Sequence, residues 1–130
     1  MSHEQKDYIK KWFEIAEHDM EAAQLIIEMK PLILDIACFH CQQAIEKYLK
    51  AFLVYNNKVI ERTHNLNLLQ EQCSEIDRDF ENYYLNKINE FSVNVRYPDE
   101  YFLPDLEEAN DYYSLVLEVQ KLVVGKINLE

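Results

Sequence analysis

The chain has 130 residues, of which 48% are apolar, and these numbers predict one domain, residues 1–130, with a single packed core. A single glycine excludes hairpin-rich β architecture and the glycine-rich loops that bind nucleotides in P-loop and Rossmann folds, because both depend on glycine backbone. A formal net charge of −11 makes broad binding to nucleic acid unfavourable, which leaves only a local basic site.

The N-terminal stretch MSHEQKDYIKKW lacks the apolar segment of a secretory signal. No run of the sequence approaches the roughly 18 consecutive apolar residues that a membrane-spanning helix needs. We therefore expect a cytoplasmic protein that has no contact with a membrane.

The three cysteines are an odd number in a chain without an export signal, so free thiols are the default expectation. Cys38 and Cys41 form a C-x-x-C pair inside a predicted helix, away from the strand-to-helix junction that lowers the pKa of redox-active thiols. A zinc site would need two further ligands, for which His64 and Cys73 are the candidates. We expect buried free thiols, no metal and no cofactor, with zinc or redox chemistry as the alternative.

The first two predicted elements are long helices. Residues 4–29 place apolar side chains at spacings of three and four, which is typical of an amphipathic helix, and Ser2 and Gln5 resemble a capping box at its start. Pro31 ends this helix, and a second runs from residue 34 to residue 55 or 56 with apolar residues around most of its circumference. The second helix is therefore predicted to lie at the centre of the fold.

The next two predicted helices carry candidate caps. Thr63 or Asn65 can cap a short third helix, since either side chain can accept a hydrogen bond from a free backbone N–H group. A fourth helix begins at Ser74 or Asp77. It is predicted to be long because one apolar stripe runs through Ile76, Phe80, Tyr84, Ile88, Phe91 and Val95.

The last predicted helix has Pro104 in its first turn, and acidic residues follow where the helix dipole favours them. It ends at Gly125 and Lys126. Together these elements predict an all-α fold, an antiparallel up-down bundle of four long helices and one short helix.

Four polar residues interrupt the apolar surface of the predicted central helix. They follow one another at spacings of three, four and three, which places them on one narrow face: His40, Gln43, Lys47 and Lys50. This face is either the solvated edge of the helix or the lining of a cleft or subunit interface that it shares with His64 and the Arg96 segment. In the second case His40, Gln43 and Lys47 are candidates to bind the phosphate of a nucleotide.

The heptapeptide VRYPDEY, residues 95–101, breaks the helical pattern. Because proline disfavours the α conformation in the residue before it, Tyr97 should be extended and the fourth helix should stop near Arg96. Arg96 then has two interpretations. It forms a local clamp with Asp99 that pins the connection, or it presents its guanidinium to a phosphate while Asp99 and Tyr101 orient it.

Four segments of the sequence follow one another in a characteristic order. They are AEHDMEAAQLII in the first helix, CFHCQQAIEKYLKAFLVY in the central helix, THNL at the start of the third and RYPD at the end of the fourth. In this combination the sequence resembles the HEPN domain family (higher eukaryotes and prokaryotes nucleotide-binding), from Tyr8 to Ile127. The set QQAIEKYLKA, THNL and RYPD is specific, although each segment alone is a weak signal.

The resemblance implies a dimeric helical bundle, commonly encoded beside a minimal nucleotidyltransferase, and in many members a metal-independent RNase that acts as a toxin. The RNase motif of the family is an arginine followed, after four to six residues, by a histidine. The histidine moves protons during attack by an RNA 2′-hydroxyl, and the arginine stabilises charge on the phosphate. Here Arg96 matches the arginine, whereas the positions of the histidine hold Tyr101, Phe102 and Leu103.

This R-x4-Y pattern departs from the family's usual route, because a tyrosine with a pKa of about 10 is a poor base at neutral pH. Tyr101 could act as the base only if its surroundings lowered its pKa. His64 or His40 could replace the missing histidine if the fold brings either one beside Arg96.

Three functions follow from this reasoning. The first is a nucleotide- or RNA-binding module, one component of a nucleotidyltransferase-associated, toxin–antitoxin-like pair, which directs Arg96, Lys47 and His64 toward phosphate and tyrosines toward bases. The second is a metal-independent RNase toxin with a rearranged site. The third is an interaction subunit that binds a nucleotidyltransferase, with Tyr97 or Tyr101 as a target of modification. The missing histidine favours the first and the third.

Nine tyrosines and six phenylalanines provide more aromatic area than one small bundle needs, so a homodimer is expected. Scattered exposed tyrosines are the alternative explanation. The candidate interface residues are Tyr83, Tyr97, Tyr101, Phe102 and Tyr112.

Overall fold

The structure is a computed structural model that describes residues 1–92 and 97–130. Residues 93–96, which include the predicted phosphate ligand Arg96, lie outside the described residues. Over the described ranges the chain forms five α-helices: α1 (His3–Met29), α2 (Leu34–Tyr55), α3 (Leu66–Ile76), α4 (Asn86–Asn89) and α5 (Leu106–Lys126). Short 3-10 turns lie between them, at Pro31–Ile33, Arg78–Asn82 and Pro98–Glu100. The predicted all-α bundle is confirmed.

Helices α1 and α2 form an antiparallel hairpin, and Gln5 joins the two helix ends that lie opposite the connecting turn. Ser2 caps α1 by accepting a hydrogen bond from the Gln5 N–H at 3.1 Å. The other half of the expected capping box is absent, because the Gln5 side chain donates instead to the Val54 carbonyl at 2.8 Å and to Asn57 Oδ1 at 2.9 Å. Gln5 therefore ties the start of α1 to the end of α2.

Helix α5 packs along this hairpin, antiparallel to α1 and in the same direction as α2. Cys38 and Ala109 share one apolar cluster near the start of both helices, and Gln120 donates to the Tyr48 hydroxyl at 2.9 Å further along. Most of α2 is buried, which confirms its central place. The largest fully buried side chains of the core include Tyr48, Phe80, Ile45, Leu49, Leu53, Leu66, Leu69 and Val116.

The start of α5 differs slightly from the prediction. Pro104 lies before the helix and not in its first turn. Asp105 is the N-cap, and it accepts a hydrogen bond from the Glu108 N–H at 2.8 Å while Glu108 accepts from the Asp105 N–H, which is a complete capping box. The predicted helix end at Gly125 and Lys126 is confirmed.

The predicted long fourth helix is wrong. Its place is taken by the 3-10 turn Arg78–Asn82, a short irregular stretch and the single turn of α4. Phe80 is fully buried against Phe52, with ring centroids 4.4 Å apart, whereas Tyr84 is exposed, so the expected stripe does not continue on one side. The Gln70 side chain donates to the carbonyls of Phe80 and Tyr83 at 2.8 and 2.7 Å, which satisfies backbone groups that a continuous helix would pair internally.

The predicted buried free thiols are confirmed, since Cys38, Cys41 and Cys73 are buried and unpaired with one another. Burial raises the pKa of Cys38 to about 12, with the charges of Glu108 and Asp35 adding to the effect, and burial alone raises the pKa of Cys73 to about 12. Burial also raises the pKa of Cys41. Since the thiolate is the form that binds metals and reacts, this environment opposes zinc and redox chemistry at these residues.

None of the helices in residues 1–92 and 97–130 is long and apolar enough to cross a membrane. In the same ranges no three histidine, cysteine or acidic side chains are grouped as a metal site would require.

The raised thiol pKa values predict that the native protein resists a thiolate-selective disulfide reagent at about pH 8, because almost none of each thiol is ionised there. We expect negligible labelling of the folded chain and labelling of all three cysteines in denaturant, measured by absorbance of the released thiol. The denatured sample is the control. Rapid labelling of a native cysteine would contradict the buried, protonated state.

Candidate functional site: a polar arc on the central helix

Six polar side chains of α2 lie on one continuous side of the helix. At 3.6 residues per turn they span an arc of roughly 160°. We call this set the polar arc; in order around the helix it comprises Gln42, Glu46, Lys50, Gln43, Lys47 and His40. Three of its members are buried, including Lys50, so the arc is not a solvated edge of the helix.

At one edge of the polar arc, a buried carboxylate from α1 holds two side chains of α2. Asp19 accepts a hydrogen bond from His40 Nδ1 at 2.8 Å and an ion-pair hydrogen bond from the Lys47 ammonium. His40 and Lys47 are two helical turns apart, and Asp19 alone holds both side chains in place. Their side chains are 29% and 19% exposed, which leaves each one accessible from solvent.

At the other edge, a second buried carboxylate has the same pair of partner types. Glu46 Oε2 accepts from the Lys50 ammonium at 3.1 Å, and Glu46 Oε1 accepts from His64 Nδ1 at 2.9 Å. Glu46 and Lys50 are 4% and 8% exposed. The Lys50 ammonium also lies 5.8 Å from the centre of the Trp12 ring, which offers it a cation–π contact.

The glutamines of the arc hold the loop that carries His64. Gln42 is fully buried and donates to the His64 carbonyl at 2.9 Å, while its own Oε1 accepts from Gln43 at 2.7 Å. One residue later, Asn65 caps α3, which confirms one of the two predicted caps. The α2–α3 loop is thus held on α2 by Gln42 and Glu46, which lie one helical turn apart.

The same loop is connected to α4. The Leu66 N–H donates to Asn89 Oδ1 at 2.9 Å, and Asn89 Nδ2 donates to Asn65 Oδ1 at 3.3 Å. The region of His64 is therefore tied both to the central helix and to the short helix that precedes the Arg96 segment in the sequence.

The structure brings together most of the residues that the sequence predicted. His40, Gln43, Lys47 and Lys50 do share one face of α2, and His64 does lie against it. Arg96 lies outside the described residues, so neither its clamp with Asp99 nor its place near the arc is tested.

Asp99 and Tyr101 are exposed on the segment that follows. Tyr97 is extended before Pro98, as predicted. Within residues 1–92 and 97–130, Asp99 and Tyr101 share no hydrogen bond or ion pair with the polar arc or its partners. Of the candidate interface residues, Tyr97, Tyr101 and Phe102 are exposed, whereas Tyr83 and Tyr112 pack against the core.

Sequence reasoning missed the residues that organise the arc. Asp19 follows Ala16 at a spacing of three and so falls on the apolar stripe of α1, where an acidic residue needs a partner. Gln42, Glu46 and Lys50 repeat at a spacing of four, which is the signal of a side-chain row along a helix.

The sequence model of the HEPN domain family matches residues 9–127. The chain belongs to the HEPN domain family. The crystal structure of ST0689, an archaeal HEPN homologue, superposes with a TM-score of 0.65 over 92% of this chain and 98% of that one, at 22% identity, which supports the shared fold. A comparison with curated proteins found no match.

In this HEPN domain the arc and its partners are balanced in charge. Asp19 and Glu46 carry two negative charges, and Lys47 and Lys50 carry two positive ones. Both histidines use Nδ1 for a carboxylate, so Nε2 is the ring atom of each that is available to a ligand. The arc of this HEPN domain can therefore offer hydrogen-bond donors and an exposed imidazole without presenting a strong positive field.

The buried Glu46–Lys50 pair yields a stability prediction. Glu46→Gln leaves the Lys50 charge buried without its partner, and we expect it to lower the free energy of unfolding by roughly 3–5 kcal/mol. Urea denaturation measures this loss. The matched control is Glu71→Gln, an exposed glutamate on α3, for which a change within about 0.5 kcal/mol is expected.

The double variant Glu46→Gln/Lys50→Met removes both charges, so it should recover most of the stability that the single variant loses. Equal losses for the glutamate variant and its α3 control would show that the pair is solvated and would contradict the burial of this interaction.

Proposed function

We propose that this HEPN domain binds a nucleotide or RNA through one phosphate group at the polar arc. The observation that carries the proposal is the pair His40 and Lys47, which a single buried carboxylate, Asp19, holds in a fixed arrangement on a partly exposed surface. Fixed donors lose little conformational freedom when a ligand arrives, which favours binding. Gln43, between them on the same face, supplies an amide.

The charge balance of the arc limits how much negative charge a ligand can place there. With two acidic and two basic side chains, and a formal charge of −11 on the chain, a long polyanion gains little here. A single phosphate can be bound by hydrogen bonds, with the guanidinium of Arg96 as the added positive charge and Asp99 as the residue that orients it. This favours a mononucleotide or one phosphodiester of an RNA strand.

The proposal extends to the assembly. A homodimer in the cytoplasm, encoded as one component of a nucleotidyltransferase-associated, toxin–antitoxin-like pair, agrees with the family. Exposed aromatic side chains at Tyr97, Tyr101 and Phe102 support an interface or a partner contact on the segment after Arg96. If the domain is instead a subunit that only binds another protein, the same aromatic residues would form that contact and nucleotides would not bind.

The binding test uses ATP, AMP and a short fluorescent single-stranded RNA as probes, with calorimetry for the nucleotides and anisotropy for the RNA. Lys47→Met and Arg96→Ala should each weaken binding by roughly tenfold, because each removes a charge-assisted hydrogen bond. Lys121→Met, at an exposed lysine on α5, is the matched control and should bind as the wild type does. Circular dichroism establishes that each variant is folded.

The salt dependence of the RNA affinity adds a second criterion. Neutralising one phosphate of a single strand gives a slope of about −0.7 in a plot of log K against log salt concentration. We expect a slope of this size. A much steeper slope would indicate a polyanion site elsewhere, and no binding of any probe would leave the interaction subunit as the function.

A metal-independent RNase is the second candidate, favoured by His64. Its side chain is 62% exposed and its Nε2 is available. Nε2 would take the proton of an RNA 2′-hydroxyl as the 2′-oxygen bonds to phosphorus, and the bond from phosphorus to the 5′-oxygen would break, with solvent supplying the proton to that oxygen. Arg96 would stabilise the charged phosphorane, and Tyr101 is the residue at the family's histidine position.

The RNase test is cleavage of total cellular RNA in the presence of EDTA. Cleavage should be lost in both Arg96→Ala and His64→Gln and retained in His18→Gln, at an exposed histidine on α1 that serves as the control. Cleavage that survives His64→Gln would remove His64 from the mechanism. Absence of cleavage by the wild type would leave binding as the activity.

A further inference from the structure

His64 combines an exposed ring with two hydrogen-bonded contacts to the central helix. Although the His64 side chain is 62% exposed, its ring Nδ1 lies 2.9 Å from Glu46 and its backbone carbonyl lies 2.9 Å from Gln42 Nε2. Exposed side chains ordinarily sample several rotamers, and holding one in place has an entropic cost. Two anchors from a buried row on α2 fix the direction in which this imidazole points.

The Glu46 contact also determines which nitrogen carries the proton. A carboxylate oxygen can only accept, so the Nδ1 atom facing it must be the protonated one. In the neutral ring the lone pair then lies on Nε2, on the side away from the protein. Lys50 occupies the other carboxylate oxygen at 3.1 Å, which leaves Oε1 for the imidazole.

His40 does not match this arrangement. Its carboxylate, Asp19, is shared with Lys47, its side chain is less than half as exposed as that of His64, and the Phe39 ring lies 5.5 Å from it. The carboxylate that holds His64 is Glu46 of the arc, whereas the one that holds His40 comes from α1. His64 is the imidazole that a ligand on the solvent side meets first.

We propose that Glu46 is a positioning residue: it holds His64 in the Nδ1–H tautomer and points Nε2 at the phosphate or 2′-hydroxyl of a bound RNA. This role rests on the proposed nucleotide- or RNA-binding function. His64 Nε2 contacts the ligand directly, whereas Glu46 affects binding only by orienting His64.

The first measurement reports the tautomer without any ligand. A long-range 1H–15N correlation spectrum distinguishes protonated from unprotonated ring nitrogens, and the His64→Gln spectrum identifies the His64 signals among the four histidines. Spectra are read on the basic side of a pH series, where the ring is neutral. The wild type should show Nδ1–H only, whereas a mixture of tautomers would overturn the proposal.

The variants must separate positioning from folding, because Glu46→Gln leaves Lys50 unpaired. The double variant Glu46→Gln/Lys50→Met removes the charge pair as a unit and keeps the shape of the row. This variant should lose the single tautomer, because the amide of the introduced glutamine can either accept from Nδ1–H or donate to an unprotonated Nδ1. Lys50→Met alone keeps the Glu46–His64 hydrogen bond and should retain the Nδ1–H form.

The second measurement is anisotropy with a short fluorescent single-stranded RNA. The double variant and His64→Gln should each bind roughly tenfold more weakly than the wild type. Introducing His64→Gln into the double variant should then add little, because both changes remove the same contact. A double variant that binds as the wild type does, while His64→Gln alone binds weakly, would overturn the role of Glu46.

The remaining outcomes are also decisive. If His64→Gln binds normally, the ligand does not meet His64, and this inference fails while the proposed binding function stands. If the wild type binds neither RNA nor nucleotide although the tautomer is fixed, the proposed function fails and the positioning role fails with it.

Discussion

Two carboxylates buried against the central helix, Asp19 and Glu46, constrain everything around them. A buried carboxylate is tolerated only where cations and hydrogen-bond donors replace the water that it has lost. Each carboxylate therefore has one lysine and one histidine as partners. Asp19 of α1 takes both from α2, whereas Glu46 takes its lysine from the next turn of α2 and its histidine from the loop that follows. The register of the α1–α2 hairpin and the course of the α2–α3 loop are both fixed by this requirement.

Local patterns predicted the long helices well. The apolar stripes of α1, α2 and α5 are properties of neighbouring residues, and the ends of these helices lie within a residue or two of the predicted ones. The stretch between α3 and α5 was predicted less well, because what breaks the fourth helix is a pair of hydrogen bonds from Gln70, up to 13 residues away in the sequence. Periodicity contains no information about such a contact, and Phe80 fits either conformation.

The site shows the same division. Helical spacing placed His40, Gln43, Lys47 and Lys50 on one face, and the motifs correctly placed the chain in the HEPN family. What the spacing could not reveal is which carboxylates meet that face, because Asp19 reaches it only once α1 has packed on α2. The role of Arg96 is still a prediction from the sequence, as are those of Asp99 and Tyr101.

The core is completed by α5, whose Val116, Val119 and Val123 are fully buried, and the Gln120 bond to Tyr48 joins residues 72 positions apart. During synthesis the α1–α2 hairpin leaves the ribosome long before α5 does. Until α5 arrives, the apolar side of the hairpin that these three valines cover stays exposed to water. The apolar core of the domain therefore closes only after the last helix has been synthesised.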